Sequence, residues 1–146
     1  MKNLSFVLSL ALATLLMSGC ETLTHEKQLL DAPWVLNYDS SRVGLREGWF
    51  DNDHDRSQWE ETAVPGVWSD ENYDGFAWYA TQIQAKNIPA GYNLALVFDS
   101  IDDNAVVWLD GRLFGKQIGY NIKFFFDIGD KLADGKVHQL VLRIED

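Results

Sequence analysis

Cysteine, basic residues and helical periodicity are all scarce in this sequence of 146 residues. A single Cys rules out an internal disulfide framework and any zinc site built from several cysteines. Lys and Arg number 12 against 22 Asp and Glu, and this acidic balance argues against a nucleic-acid partner, because phosphates are bound by clustered Lys and Arg. The length is too small for the ~250 residues of a (β/α)8 barrel enzyme, so we expect one folded domain.

A short apolar run, residues 4–16, follows a charged start at Lys2 and precedes a group of small residues. This order is typical of a secretory signal peptide. At ~1.5 Å per residue the run is too short for a helix that crosses the ~30 Å hydrocarbon core of a bilayer. The run ends in Met17-Ser18-Gly19-Cys20, which resembles the lipobox of bacterial lipoproteins, with Met where that family most often has Leu.

The lipobox resemblance implies that the cysteine becomes the lipid-modified N-terminus of the mature protein. We therefore expect a signal peptide over residues 1–19, lipidation of Cys20 and a polar tether over residues 20–28. Several acyl chains on one cysteine hold a small domain firmly, because each buried CH2 contributes ~0.8 kcal/mol. The expected location is the bacterial cell envelope, with the domain facing the periplasm or at the outer membrane. An ordinary secretory signal with an incidental cysteine is the alternative.

Alternation of apolar and polar residues predicts β-strands over the rest of the chain. Residues 93–98, 123–128 and 139–145 each place their apolar side chains on one face. Asp110-Gly111, between two further apolar segments, predicts a two-residue hairpin turn, because such turns need positive φ angles that Asp and Gly adopt readily. No convincing helical periodicity follows the tether, so the sequence predicts an all-β domain over residues 29–146, a β-sandwich or jelly roll. The strand patterns place three large aromatic residues in the core: Trp59, Phe98 and Trp108.

Five motifs follow one another between residues 49 and 146. They are residues 53–59, Val64-Pro65-Gly66-Val67-Trp68, residues 73–79, residues 101–111 and residues 124–128. In this order they resemble the sugar-binding jelly roll of the glycoside hydrolase family 2 and β-galactosidase-like proteins, a member of the galactose-binding-like superfamily. The resemblance implies a jelly-roll sandwich whose loops at one end can bear ligands. It does not by itself imply sugar binding, because one fold hosts many functions.

Hydrolysis is not expected from this sequence alone. In the family an immunoglobulin-like domain and a catalytic barrel follow the jelly roll, the catalytic glutamates lie in that barrel, and the 146 residues contain no counterpart of it. Glycoside hydrolysis generally needs two carboxylates that flank the sugar. The adjacent Glu60 and Glu61 would point to opposite faces of a strand, so they do not form such a pair. We therefore expect that the protein is not an enzyme, and that hydrolysis would need a partner.

Aromatic residues in predicted loops, next to Asp and Asn, form the candidate ligand site. Sugars stack their apolar faces on Trp or Tyr and form hydrogen bonds with Asp and Asn through their hydroxyls. Trp78 and Tyr79 are successive strand residues on opposite faces, so we expect only one of them in the core. The candidate ligand-binding residues are Trp68, Tyr73, Asp74, Trp78, Asp103, Tyr120 and Asn121. Binding should be weak, because a shallow site with one stacked ring buries little area.

The acidic turn at residues 51–55 is where the sequence suggests a cofactor, a structural calcium ion. It begins like an EF-hand but has Arg56 and Thr62 where that loop needs Gly and Glu. A structural calcium held in another way is therefore an alternative to a solvated acidic turn, and the identity of any metal stays open.

The expected function is that of a non-catalytic carbohydrate-binding module anchored to the bacterial envelope as a lipoprotein. Its expected partners are a carbohydrate, bound weakly, and the membrane, reached through the lipid. Two alternatives stay open, an envelope module that contacts another protein and an accessory subunit of a glycoside hydrolase. The sequence does not specify the sugar.

Overall fold

The computed structural model describes residues 30, 32–68, 72–85, 88, 92–101 and 103–145. Within these residues every regular element is a β-strand, and the predicted all-β sandwich is confirmed. The strands are β1 (Trp34–Tyr38), β2 (Glu60–Thr62), β3 (Phe76–Ile83), β4 (Leu94–Phe98), β5 (Asn104–Leu109), β6 (Arg112–Gln117), β7 (Phe124–Gly129) and β8 (His138–Glu145). The predicted signal peptide, Cys20 and the tether lie outside the described residues.

Two antiparallel sheets form the sandwich. The larger has the order β2-β1-β3-β8-β5-β6, and the smaller pairs β4 with β7. The strands predicted from alternation coincide with β4, β7 and β8. Asp110 and Gly111 form the predicted turn between β5 and β6, with the positive φ angles, 51° and 73°, that this turn requires. The part of the chain that the structure describes contains no helix long and apolar enough to cross a membrane.

The main core lies between the two sheets and is built from alternate strand positions. Leu36, Tyr79 and Val107 of the larger sheet belong to one buried cluster with Leu96 and Ile128 of the smaller sheet. Burial of each such side chain contributes about 1.5–3 kcal/mol relative to exposure. Phe98, predicted as core, is half-buried against this cluster, and its ring stacks on that of Phe124 with 4.8 Å between centroids.

The outer face of the larger sheet is covered by residues 39–59, which join β1 to β2 and which we call the covering segment. A second buried cluster forms here, with the members Trp59, Trp78, Ala80, Trp108 and Val141. Trp49 and Phe50 of the covering segment pack against it, and the Phe50 ring stacks on that of Trp108 with 5.4 Å between centroids. Trp59 and Trp108 are thus buried as predicted, in this outer layer instead of between the sheets.

β3 is consequently buried on both faces. Trp78 belongs to the outer cluster and is 0% exposed, while its neighbour Tyr79 belongs to the main core and is 8% exposed. The expectation that only one of the two lies in a core is wrong, because it assumed that one face of the strand is solvated. A strand covered on both sides carries a nearly continuous apolar run, as residues 76–80 do.

Asp39, directly after β1, anchors the covering segment. Its buried carboxylate accepts hydrogen bonds from the backbone N–H groups of Val43 and Gly44, at 2.7 and 3.0 Å, and from the indole N–H of Trp78, at 3.1 Å. Gly44 lies so close to the indole that a Cβ there would be 2.6 Å from Cε2 of Trp78. The segment therefore approaches the sheet at a distance that only glycine permits.

Candidate functional site

The loops that carry the candidate ligand residues meet at one end of the larger sheet. The strand register pairs Glu145, the last residue of β8, with Phe76 at the start of β3 and with Asn104 at the start of β5. The loops before β3, before β5 and after β6 therefore open at this end, which we call the Glu145 end. Six candidates lie in these loops or pack against them: Trp68, Tyr73, Asp74, Asp103, Tyr120 and Asn121.

An aromatic patch at the Glu145 end consists of Tyr38, Trp68 and Tyr73, all half-buried. The centroid of the Tyr38 ring lies 4.6 Å from that of Tyr73 and 6.0 Å from that of Trp68, and the last two are 5.5 Å apart. The Tyr73 hydroxyl donates a hydrogen bond to the carbonyl of Phe76 at 2.9 Å, which fixes the ring on the loop before β3. Asp74 follows on the same loop and is exposed. The patch thus combines partly exposed rings with a solvated carboxylate.

A second patch, the loop patch, consists of Ser100, Asp103, Tyr120 and Asn121. The Asn121 side-chain oxygen accepts a hydrogen bond from the Ser100 hydroxyl, and its backbone N–H donates to the carbonyl of Ile101 at 3.1 Å. Asp103 and Asn121 both have left-handed backbones, with φ of 44° and 53°. The Tyr120 ring is 68% exposed, which makes it the most accessible aromatic residue among the candidates.

The two patches are neighbours on one surface. Asn104 links the loops of the second patch to the sheet, because its side chain donates to Glu145 Oε2 and accepts from the Gly119 N–H, each at 3.2 Å. Phe76 and Asn104 flank β8 on either side, so the starts of β3 and β5, next to which the two patches lie, are two strand spacings apart, about 10 Å. The Glu145 end therefore offers two adjacent contact areas instead of a single pocket.

Trp78 does not belong to this site, and the prediction that it stacks on a ligand is wrong. Its ring is 0% exposed, is stacked on Trp108 with 5.2 Å between centroids, and gives its only N–H to Asp39. The covering segment, which has no strand periodicity, hides it. The candidate residues that remain on the surface are the other six.

A cleft that the sequence analysis missed adjoins the aromatic patch. β2 pairs with β1 only from Trp34 to Leu36, so Asn37 and Tyr38 extend beyond Glu60, the first residue of β2. The resulting cleft has a volume of about 250 Å³, and its lining residues are Leu36, Asn37, Tyr38, Gln58 and Glu60. Because Tyr38 belongs to both, the cleft and the aromatic patch are continuous. The signal in the sequence was Asn37, a polar residue inside an apolar strand.

Tyr79 of β3, which pairs with Leu36 of β1, responds to groups of both the cleft and the aromatic patch. Burial raises the pKa of the Tyr79 hydroxyl to about 12, and the charge of Glu60 and the neighbouring Tyr38 add to this rise, while a hydrogen bond with the Trp68 side chain opposes it. Tyr79 therefore stays protonated at neutral pH. Glu60 and Tyr38 from the cleft act on the same group as Trp68 from the aromatic patch.

The acidic turn at residues 51–55 is organised by an arginine. The Arg56 guanidinium donates hydrogen bonds to the carbonyls of Trp49, Asp51 and His54, at 2.7, 2.8 and 3.2 Å. Backbone carbonyls of this kind are the ligands that a loop calcium uses, and here they face a positive charge. Among the described residues, no cluster of three or more Asp, Glu, His or Cys side chains is arranged to hold a metal. The arrangement does not favour calcium in this turn.

A cluster of charged groups lies at the opposite end of the sheet. His138, at the start of β8, places Nδ1 2.7 Å from Asp110 Oδ2 and Nε2 2.9 Å from Asp134 Oδ1. Asp110 and then Asp134 raise the pKa of the His138 imidazole. The backbone N–H of Lys136 and the hydrogen bond with His138 lower the pKa of Asp134 to about 2. This cluster ties the hairpin turn and the loop before β8 to the sheet.

Comparison with known proteins relates the chain to β-glucuronidases. No family model matches the chain. A predicted beta-glucuronidase of Formosa agariphila is 27% identical over 99 residues, which cover 62% of this chain and 12% of that protein. The β-glucuronidase of Ruminococcus gnavus, solved with uronic deoxynojirimycin, matches 82% of this chain with 25% identity and a TM-score of 0.68. The same enzyme with uronic isofagomine matches 81% with 25% identity and a TM-score of 0.67.

The matched region is a small part of each relative. The chain spans 12% of the curated relative and 21% of the two solved chains. The structural neighbours are glycoside hydrolases, consistent with a domain of glycoside hydrolase family 2, and a match of this extent is compatible with a domain that lacks the catalytic barrel.

Proposed function

We propose that the domain is a non-catalytic carbohydrate-binding module, and that the Glu145 end carries its ligand site. The observation that supports it most directly is the position of Trp68, Tyr73 and Tyr120, which lie at one end of the sandwich next to Asp74 and Asn121. Aromatic rings beside short polar side chains suit a sugar, which presents apolar C–H faces and hydroxyls together. The similarity to part of glycoside hydrolases supports the same ligand class.

The test is an NMR-monitored titration of the purified full chain with a panel of neutral and acidic mono- and disaccharides. We expect dissociation constants in the millimolar range, because one or two stacked rings bury little area. Tyr120→Ala should weaken binding about tenfold, since it removes the most exposed ring. Phe125→Ala is the matched control, because Phe125 is equally exposed, at 68%, but lies on the outer face of the smaller sheet. Absence of binding at millimolar saccharide would remove the proposal and favour a module that contacts another protein.

We also propose that the chain is lipidated at Cys20 and held in the bacterial envelope. The support comes from the sequence, in which the only cysteine follows a short apolar run and two small residues. In bacteria that express the gene, the wild-type chain should take up labelled palmitate and fractionate with membranes. Cys20→Ser should lose the label and leave the membrane fraction. Membrane retention of the unlabelled variant would contradict a lipid anchor.

A further inference from the structure

We propose that Arg42 and Arg143, whose guanidinium groups lie over the ring of Phe76, form an anion-binding site, and that this site directs the module to saccharides that carry a carboxylate or sulfate group. This inference rests on the proposed function, because it assumes that the domain binds a saccharide. It adds ligand-binding residues outside the loops and the charge class of the ligand. We call Arg42, Phe76 and Arg143 the arginine site.

The arginine site lies where the covering segment meets the start of β3. The strand register pairs Trp78 with Arg143 and Phe76 with Glu145, so Phe76 and Arg143 are on the same outer face of the larger sheet as Trp78. The guanidinium carbon of Arg143 lies 4.6 Å from the centroid of the Phe76 ring, and that of Arg42, from the covering segment, lies 5.3 Å from it. Two cations from distant parts of the chain therefore converge on one half-buried ring.

Both guanidinium groups keep their hydrogen-bond donors available. Within the part of the chain that the structure describes, neither Arg42 nor Arg143 donates a hydrogen bond or forms an ion pair. Each group has five N–H donors in a planar fork, which matches the oxygens of a carboxylate or sulfate. Burial lowers the pKa of the Arg143 guanidinium, and the charges of Glu145 and Asp39 oppose this change. The group stays charged at neutral pH, and its partial removal from water strengthens its attraction to an anion.

The two carboxylates that act on Arg143 are bound to other donors. Asp39 accepts its three hydrogen bonds from the covering segment and from Trp78. Glu145 accepts a hydrogen bond from the Asn104 side chain at 3.2 Å. Their charges weaken the field at the arginine site, but they do not occupy the guanidinium donors.

A third cation lies further along the same face of the sheet. Val106 of β5 pairs with Arg143 on one side and with Lys116 of β6 on the other. Lys116 is exposed and lies two strand spacings from Arg143, about 10 Å. Arg42, Arg143 and Lys116 together outnumber the two carboxylates, in a chain whose net charge is −10.

The arginine site adjoins the aromatic patch. The Tyr73 hydroxyl donates its hydrogen bond to the backbone carbonyl of Phe76, at 2.9 Å. Burial and the charge of Asp39 raise the pKa of the Tyr73 hydroxyl, and the charge of Arg42 opposes that rise, so Arg42 is within electrostatic reach of Tyr73. A saccharide that stacks on the aromatic patch can therefore place an anionic substituent near the guanidinium groups.

The decisive experiment compares sugars that differ only in the group at C6. Galactose, galacturonic acid and galactose 6-sulfate, and the three corresponding derivatives of glucose, are used in an NMR-monitored titration of the purified full chain. We expect at least one acidic sugar to shift the guanidinium signals of Arg143 and to bind at least fivefold tighter than its neutral counterpart, because charge-assisted hydrogen bonds are stronger than neutral ones. Sodium sulfate and sodium acetate should bind more weakly than that sugar, because they have no ring to stack.

Four variants separate the local effect of the arginines from a change in net charge. Arg143→Gln should lower the preference for the acidic sugar at least fivefold, and Arg143→Lys should restore only part of it, because an ammonium group lacks the planar fork. Arg42→Gln, at an exposed residue, should lower the preference at least twofold. Arg112→Gln is the control, because Arg112 is also exposed but pairs with Leu109 beside the hairpin turn, at the opposite end of the sheet. Thermal melting checks that the variants fold, and Arg42→Gln decides if Arg143→Gln does not.

The outcomes separate the inference from the proposed function. If no saccharide of either class binds, the proposed function fails. If neutral sugars bind as tightly as their acidic counterparts, the module stands and the arginine site is overturned. Equal effects of Arg42→Gln and Arg112→Gln also overturn it, because they show a long-range charge effect. Binding of sodium sulfate or sodium acetate as tight as that of the acidic sugar overturns the site as a saccharide subsite.

Discussion

Replacement of Gly44 by alanine tests whether the covering segment is held against the sheet by a close contact with Trp78. The new Cβ would lie 2.6 Å from Cε2 and Nε1 of the indole and 2.8 Å from Cζ2. Neither side can move easily. The Gly44 backbone donates to Asp39 at 3.0 Å and accepts from the Trp49 N–H at 2.9 Å, while the indole is fully buried and stacked on Trp108.

The expected cost follows from these contacts. Overpacking of a well-packed core typically costs about 1–3 kcal/mol, and a contact between two anchored groups belongs in the upper half of that range. The lower entropy of the unfolded alanine chain offsets about 0.4–1 kcal/mol. We therefore expect Gly44→Ala to lower the free energy of unfolding by about 2 kcal/mol, a loss of about 8 °C in Tm for a domain of this size.

A double-mutant cycle with Trp78→Phe isolates the contact itself. A phenyl ring lacks the outer part of the indole that the new Cβ meets, so Gly44→Ala should cost at least 1 kcal/mol less in the Trp78→Phe background. Urea unfolding followed by circular dichroism measures all four proteins. Gly135→Ala is the comparison, because its φ of 70° strains the backbone while nothing lies within 4 Å of the new Cβ. Equal costs of Gly44→Ala in both backgrounds would refute the reasoning.

Two further predictions concern buried polar groups. Asp39→Ala leaves the N–H groups of Val43, Gly44 and Trp78 without their acceptor. It should therefore lower the free energy of unfolding by about 2–4 kcal/mol, measured by urea titration. A loss below 1 kcal/mol would contradict an anchoring role of Asp39. Because the folded protein raises the pKa of His138, its protonated form contributes stability below the unfolded value of about 6.5, and this contribution is lost as pH rises through the folded pKa. His138→Gln should abolish this loss of stability when the free energy of unfolding is measured from neutral to mildly alkaline pH, and the control His54→Gln should not. An unchanged pH profile in His138→Gln would show that the two aspartates do not hold a charged imidazole.

The strand pattern was readable from the sequence where one face of a strand is solvated. β7 alternates because one of its faces packs on the core and the other is solvated, and Asp110-Gly111 turns the chain through local backbone geometry. β3 was misjudged at Trp78, because its cover is provided by the covering segment. The hydrogen bond from Trp78 to Asp39 spans 39 residues, and the segment that supplies the cover has no periodicity of its own.

The candidate site, like the strands, could be predicted only in part from the sequence. Trp68, Tyr73 and Tyr120 could be selected from loop composition, but their meeting at one end depends on the register that pairs β8 with both β3 and β5. Asn37 and Gln58 were not selected, because an amide in a strand and one before a strand give no motif. Their cleft arises from the different lengths of β1 and β2.

The sequence by itself determined the fold class, the hairpin and the chemical types of residue available for binding, since these follow from short-range alternation, turn geometry and composition. Tertiary structure decided which rings reach solvent, because burial of an outer face depends on a segment that is distant in the chain. It also decided where the surface forms a cleft, since a cleft is formed by the space between elements and no single segment encodes that space.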